Sequence, residues 1–265
     1  MEQAAHFEQE CDALDDLLST LQASDWERET QFKGWTVNDI VTHLFFWNQM
    51  AGWSLFDPKT FESALDSTLA GIQKQGMRAT ENEWIEERGP SLHKAWRSHY
   101  RAVATRWAEA DPKARVRWAG PDMSVRSSVT ARQMETWAHA QAVFDCMGVV
   151  RHESDRIHNI VVLGVNTFGW TFKTRGTEPP GALPHLRLTA PSGAVWIWGE
   201  PSDAECIVGT AVDFARVVTQ TRNVADTGLQ VVGTVAAAWM THAQCFAGPP
   251  NEPPAPGSRH LQAKD

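Results

Sequence analysis

The spacing of apolar residues divides the chain into a helical first half and a mixed second half. Leu14, Leu17, Leu18 and Leu21 recur at intervals of three and four, which predicts an amphipathic helix over residues 3–22. After a loop through Gly34, Thr36 stands at an N-cap position. Asp39, three residues on, completes a capping-box pattern, and the helix it opens carries His43 and Trp47 to about Trp53. The stretch from Asp57-Pro58 to Gly76 is shorter and less regular. Glu81 to Ala110 reads as a long helical stretch broken at Gly89-Pro90 and ended by Asp111-Pro112. A further helix starts near Ser128 or Thr130 and runs to Met147, with Gly148 as its stop. Four principal helices joined in this way predict an antiparallel bundle, an architecture that builds metal sites from side chains on facing helices.

The pattern changes after Arg151. A helix over residues 154–172 gives way to Gly176-Thr-Glu-Pro-Pro-Gly, and runs of strand character follow at His185–Thr189, Ala194–Trp198 and Glu205–Val208. Pro191-Ser-Gly193 supplies the turn between the first two. Thr210–Thr219 reads as a helix, and Leu229–Phe246 as a last helix ended by Gly248-Pro-Pro. The expected organisation is a helical domain over 1–150, an α/β domain over 151–250 and a flexible tail over 251–265.

Composition narrows the class. With 42% hydrophobic and 21% charged residues, the chain has ordinary globular character. Its 24 Lys and Arg against 32 Asp and Glu give a net charge of -8, which argues against binding a phosphate backbone. Cys11, Cys146, Cys206 and Cys245 lack any Cys-x-x-Cys spacing, and the N-terminus carries no charged-then-apolar signal pattern, so a reducing cytoplasm is expected. No apolar stretch is long enough for a membrane span. Thirteen tryptophans against one tyrosine imply bulky cores or wide pockets.

The candidate chemistry lies in two segments. Glu135 and His139 are four residues apart, which places both on one face of a helix, within reach of a single ion. His43, on another helix, supplies a third ligand. Two histidines and a carboxylate suit a divalent transition metal and leave a position open for water or substrate, although Glu-x-x-x-His also occurs as a solvated ion pair. Asp39, one turn before His43, either orients that ring or only caps its helix. Cys146 follows His139 by two turns, about 10.5 Å of rise, too far to share an ion. Trp47 and Trp137 either wall the pocket or pack the core. His158 and His242 have no partner at metal-ligand spacing and are expected to be structural.

The segment Gly34-Trp-Thr-Val-Asn-Asp-Ile-Val-Thr-His43-Leu resembles the Trp-Ser/Thr-Val-x-Asp-x-x-x-His-Leu motif of the DinB-like metalloproteins, in the branch typified by mycothiol-dependent maleylpyruvate isomerase. Met134-Glu-Thr-Trp-Ala-His139-Ala-Gln is similar to that branch's Glu-x-x-x-His helix. The likeness continues through Leu186-Arg-Leu-Thr-Ala-Pro-Ser-Gly, Trp196-Ile-Trp-Gly, Asp213–Arg222 and Ala247-Gly-Pro-Pro, and so spans nearly the whole chain. It implies an α+β fold: an N-terminal antiparallel four-helix bundle followed by a smaller α/β domain like a sterol carrier protein. It further implies a divalent metal, zinc above all, held by His43, Glu135 and His139, and a catalytic contribution from Arg222. The branch has a glycine before its arginine pair where this chain has Gln220-Thr221-Arg222-Asn223.

The expected function is that of a metal-dependent enzyme, maleylpyruvate-isomerase-like. It would activate a low-molecular-weight thiol or water for isomerisation or transfer on a small anionic organic substrate. The alternative is a non-catalytic metal-containing protein that binds a small molecule. Expected partners are a small-molecule substrate and a second copy of the chain in a homodimer; neither nucleic acid nor membrane is expected.

Overall fold

Side-chain caps start several of the helices. In the computed structural model, which describes residues 1–263, the chain divides into two compact units, Met1–Met147 and Gly148–Asp265. The first contains α1 (Glu2–Leu18), α2 (Val37–Phe56), α3 (Pro58–Gln75), α4 (Met77–Trp84), α5 (Gly89–Glu109) and α6 (Val125–Cys146). A two-residue antiparallel ribbon, β1 (Arg115–Val116) with β2 (Met123–Ser124), leads into α6. Helix α1 packs on α5 and α6, and α2 packs on the same two, which makes α1, α2, α5 and α6 the bundle. Helices α3 and α4 lie against α2.

The bundle core is aromatic. Phe7, Phe46, Trp96, Tyr100, Trp107 and Trp137 are fully buried, and each contributes roughly 1.5–3 kcal/mol of apolar burial. Asp15 on α1 is buried and receives His93 Nε2 at 2.5 Å and Arg97 Nε at 2.6 Å, which ties α1 to α5. Five tryptophans, Trp26, Trp96, Trp107, Trp137 and Trp239, are thus fully buried as packing.

Three boundaries differ from those the sequence predicts. Helix α1 stops at Leu18 because Ser19 Oγ and Thr20 Oγ1 turn back onto the carbonyls of Asp15 and Leu17. The irregular stretch after Asp57 is a full helix, α3. Asp57 caps it at Thr60 N and Pro58 occupies its first turn, but only Phe61, Ala64, Leu65 and Thr68 are buried, so its apolar signal is thin. Helix α6 begins at Val125, three residues before Ser128, because the Ser124 hydroxyl takes the Ser127 N–H at 3.1 Å.

The second unit contains α7 (His158–Asn166), α8 (Phe168–Lys173), β3 (His185–Thr189), β4 (Val195–Trp198), β5 (Cys206–Thr210), α9 (Ala211–Val218), β6 (Gln230–Val232) and α10 (Thr234–His242). Its sheet runs β4-β3-β5-β6, with β3 and β5 parallel and both edge strands antiparallel to their neighbours. The helix predicted over 154–172 is broken at Thr167, whose hydroxyl bonds the Leu163 and Gly164 carbonyls. The helix predicted from Leu229 is instead strand β6 followed by α10. Gly233 separates them with φ +94, where a Cβ would collide with the Ala204 carbonyl. The Glu205 carboxylate then collects the N–H groups of Thr234, Val235 and Ala236 and starts α10.

Residues 251–263 carry no helix or strand and hydrogen-bond to the turn after α9. Asn251 Nδ2 donates to Gln220 Oε1 at 2.6 Å, Asn223 Nδ2 to the Pro254 carbonyl at 2.8 Å and Arg259 Nη1 to the Gln220 carbonyl at 2.7 Å. Lys264 and Asp265 lie outside the described residues. Among the described residues no helix is long and apolar enough to cross a membrane.

The helix that carries His43 starts as the sequence predicts. Thr36 Oγ1 accepts from Asp39 N at 3.1 Å while Asp39 Oδ2 accepts from Thr36 N at 3.0 Å. Thr36→Ala is expected to cost about 1 kcal/mol of stability and Thr36→Ser little, read as the urea midpoint at unchanged slope.

Candidate metal centre

The loop before α2 is folded so that two aromatic rings turn back over its first helical turns. Thr30 N donates to the Trp35 carbonyl at 2.8 Å and Trp35 N to the Phe32 carbonyl at 3.0 Å. Lys33 and Gly34 take φ values of 55 and 66 to close this turn. Phe32 then meets the His139 ring edge-on at 4.9 Å, and Trp35 meets His43 at 5.4 Å and stacks on His139 at 6.2 Å.

Beneath these rings the structure brings His43 of α2 together with Glu135 and His139 of α6. One ligand-type atom from each lies within 4.8 Å of the others. The two imidazoles are 4.5 Å apart between centroids, and His139 Nε2 stands 3.3 Å from Glu135 Oε2. Around a tetrahedral ion with bonds of about 2.0–2.1 Å, neighbouring ligand atoms lie roughly 3.3 Å apart, so the donor set fits such an ion after a small contraction. Burial raises the Glu135 carboxyl, but the His139 hydrogen bond, the Arg132 guanidinium and the two imidazoles outweigh it and hold its pKa down to about 2. Burial, and then the neighbouring His43, lower the pKa of His139. Both groups are thus deprotonated at neutral pH, the state in which they bind metal.

Glu81 of α4 is the residue that sequence reasoning missed. It is 1% exposed, and its Oε1 lies 2.8 Å from His43 Nδ1 and accepts from Trp47 Nε1 at 2.7 Å. That contact engages Nδ1 and leaves Nε2 for an ion, the arrangement in which a carboxylate orients a ligating histidine. Trp47 therefore belongs to the wall of the centre. Asp39 caps α2 and also accepts from Asn82 Nδ2 at 3.2 Å and pairs with Arg78 at 3.5 Å. It acts on His43 at one remove, by fastening the helix on which Glu81 rides. Little in the local sequence marks Glu81, which sits in the polar run Thr80-Glu81-Asn82-Glu83.

Arg132 was also missed, although the spacing 132, 135, 139 puts it on the same stripe of α6 as the two ligands. It is 4% exposed, with Nη2 3.9 Å from Glu135 Oε1 and its guanidinium 5.8 Å from the Trp118 ring. Burial lowers its pKa.

Of the remaining candidates, Cys146 belongs to the first unit and the others to the second. Cys146 is buried against the Glu29 carbonyl. His158 opens α7 against Trp196 and Trp198, and His242 closes α10 beside Glu252, so both stand at helix ends rather than in helix interiors. Arg222 belongs to the second unit, in the turn after α9, where its Nη1 donates to the Thr221 carbonyl at 2.9 Å.

A helical bundle that gathers two histidines and a glutamate from two of its helices, continued in sequence by an α/β unit, defines an α+β protein of the DinB-like class. The chain belongs to the mycothiol maleylpyruvate isomerase N-terminal domain family, which it matches over residues 7–144. It is 34% identical over 244 residues to the uncharacterized proteins MT0041 and Rv0036c of Mycobacterium tuberculosis, covering 91% of this chain and 93% of each relative. The crystal structure of the mycothiol-dependent maleylpyruvate isomerase superposes with a TM-score of 0.54 at 16% identity, covering 82% of this chain and 87% of that one. A histidine-to-alanine mutant of that enzyme superposes equally well at 15% identity. At these identities the superposition establishes the shared fold.

Removing the Glu81 carboxylate strands two buried partners. Glu81→Ala is expected to destabilise metal-free protein by about 3 kcal/mol in urea unfolding, and Glu81→Gln by less, because the amide oxygen still accepts from Trp47.

Proposed function

We propose that this protein is a metal-dependent enzyme in which His43, Glu135 and His139 hold one divalent ion, zinc in the first instance, and that it uses a small thiol to isomerise or transfer groups on a small anionic substrate. The observation that carries this reading is the convergence of three ligand-type side chains within 4.8 Å, one of them backed by a buried carboxylate. The thiol is supported by the family and by a structural relative that is mycothiol-dependent by name. Four free cysteines fit a reducing cytoplasm, where such thiols are abundant.

When bound, the ion supplies an open coordination position at which a thiol or water loses its proton near neutral pH. The rest falls to this chain's residues. Glu81 fixes the His43 ring so that Nε2 faces the centre, and the Phe32 and Trp35 rings shield the imidazoles from water. Arg222 is assigned to a substrate carboxylate through the planar fork of its guanidinium.

Purified protein is expected to carry about one zinc per chain by elemental analysis, and His139→Ala to lose both the metal and turnover. Isomerisation of maleylpyruvate with mycothiol is the first reaction to assay. Stoichiometric metal retained in His139→Ala would exclude this ligand set. Metal and ligand bound at full occupancy without conversion would make the protein a binder instead.

A further inference from the structure

Arg132 is the feature of the bundle that metal binding alone leaves unexplained. A guanidinium has five N–H donors in a planar fork. Here it is 4% exposed, makes no hydrogen bond among the described residues, and has its Nε shut off from solvent without a partner. Its nearest opposite charge, Glu135 Oε1, stands at 3.9 Å, beyond hydrogen-bond reach. An arginine present only to neutralise Glu135 would close that gap, since leaving a buried cation's donors empty is costly. The donors are held in reserve beside the centre, one helical turn from Glu135.

Charge counting says what they are held for. The carboxylates of Glu81 and Glu135 and the single guanidinium of Arg132 are the acidic and basic side chains set around the two imidazoles. The carboxylates outnumber the guanidinium, and the donor set of the centre draws a cation. A divalent ion held there would add two positive charges next to Arg132, so the filled centre favours an anion far more than the empty one. Among small monoanions a carboxylate matches the planar fork, because its two oxygens accept two parallel N–H bonds.

The geometry points to Arg132 as a substrate-binding residue that receives a carboxylate beside the occupied metal position, so that metal loading switches the site from cation-seeking to carboxylate-binding. The inference rests on the metal reading above and assigns the carboxylate a partner within the helical unit, separate from Arg222.

The test is 19F NMR titration with 3,3,3-trifluoropropionate, using its neutral amide as control. Zinc-loaded protein is expected to bind the carboxylate and not the amide, and chelator-treated protein to bind it about tenfold more weakly. Zinc-loaded Arg132→Met should keep its zinc and bind about 10- to 100-fold more weakly. Arg132→Lys, which keeps the charge and loses the fork, should fall between the two and remains informative if the methionine variant does not fold. Zinc uptake with carboxylate affinity unchanged in either variant, or equal affinity with and without zinc, would overturn the inference and leave the metal reading standing. No zinc uptake by the wild-type chain would overturn both.

Discussion

Glu81 lies almost wholly out of water, with one oxygen shared between the Trp47 indole and the His43 ring, and a carboxylate so placed is stable only while those contacts persist. Its helix is short, eight residues, and could not be rigid alone. Asp39 supplies the constraint by gripping Asn82 and Arg78 from the first turn of α2. The capping box that starts α2, the docking of α4 and the orientation of the His43 ring are therefore one connected set of hydrogen bonds. Loosening any of them tilts the imidazole.

How much of this the sequence disclosed depends on how far apart the interacting residues are along the chain. Thr36 and Asp39 are three residues apart and state their capping role outright. Glu135 and His139, four apart, place themselves on one helical face. The strand at His185–Thr189 was legible to the residue because its alternation matches burial on one face of the sheet. Glu81 was not legible, since its contact with His43 spans 38 positions and its neighbours are polar. Arg132 shows a different failure: its stripe was visible, but a charged residue on a helix reads as solvated unless burial is known. At Gly233 an apolar run long enough for one helix hid a strand end, and only the clash at a φ of +94 separates the two.

The two units stand differently toward function. The family pattern covers residues 7–144, within the helical unit that holds His43, Glu135 and His139. The Mycobacterium tuberculosis relatives match across 91% of the chain, so the α/β unit belongs to the whole protein and is not an unrelated appendage. Within that unit, Gln220 takes the positive φ of 55 just before Arg222, and its amide and carbonyl are bonded by Ala243, Asn251 and Arg259. A non-glycine residue is held in that region only when its surroundings over-determine it. The backbone leading into Arg222 is fixed by the same bonds that fasten residues 251–263.

The centre is energetically discordant with its setting. Glu81 and Arg132 are buried and Glu135 is half-buried beside them, and among the described residues His139 Nδ1 and Arg132 Nε find no hydrogen-bond partner. The two unpaired groups work against folding, and the bundle tolerates them because stability comes from elsewhere: the aromatic core and the Asp15 contacts that join α1 to α5. Retaining charge there fits the proposed function, in which a cation answers the two carboxylates and an anion the arginine.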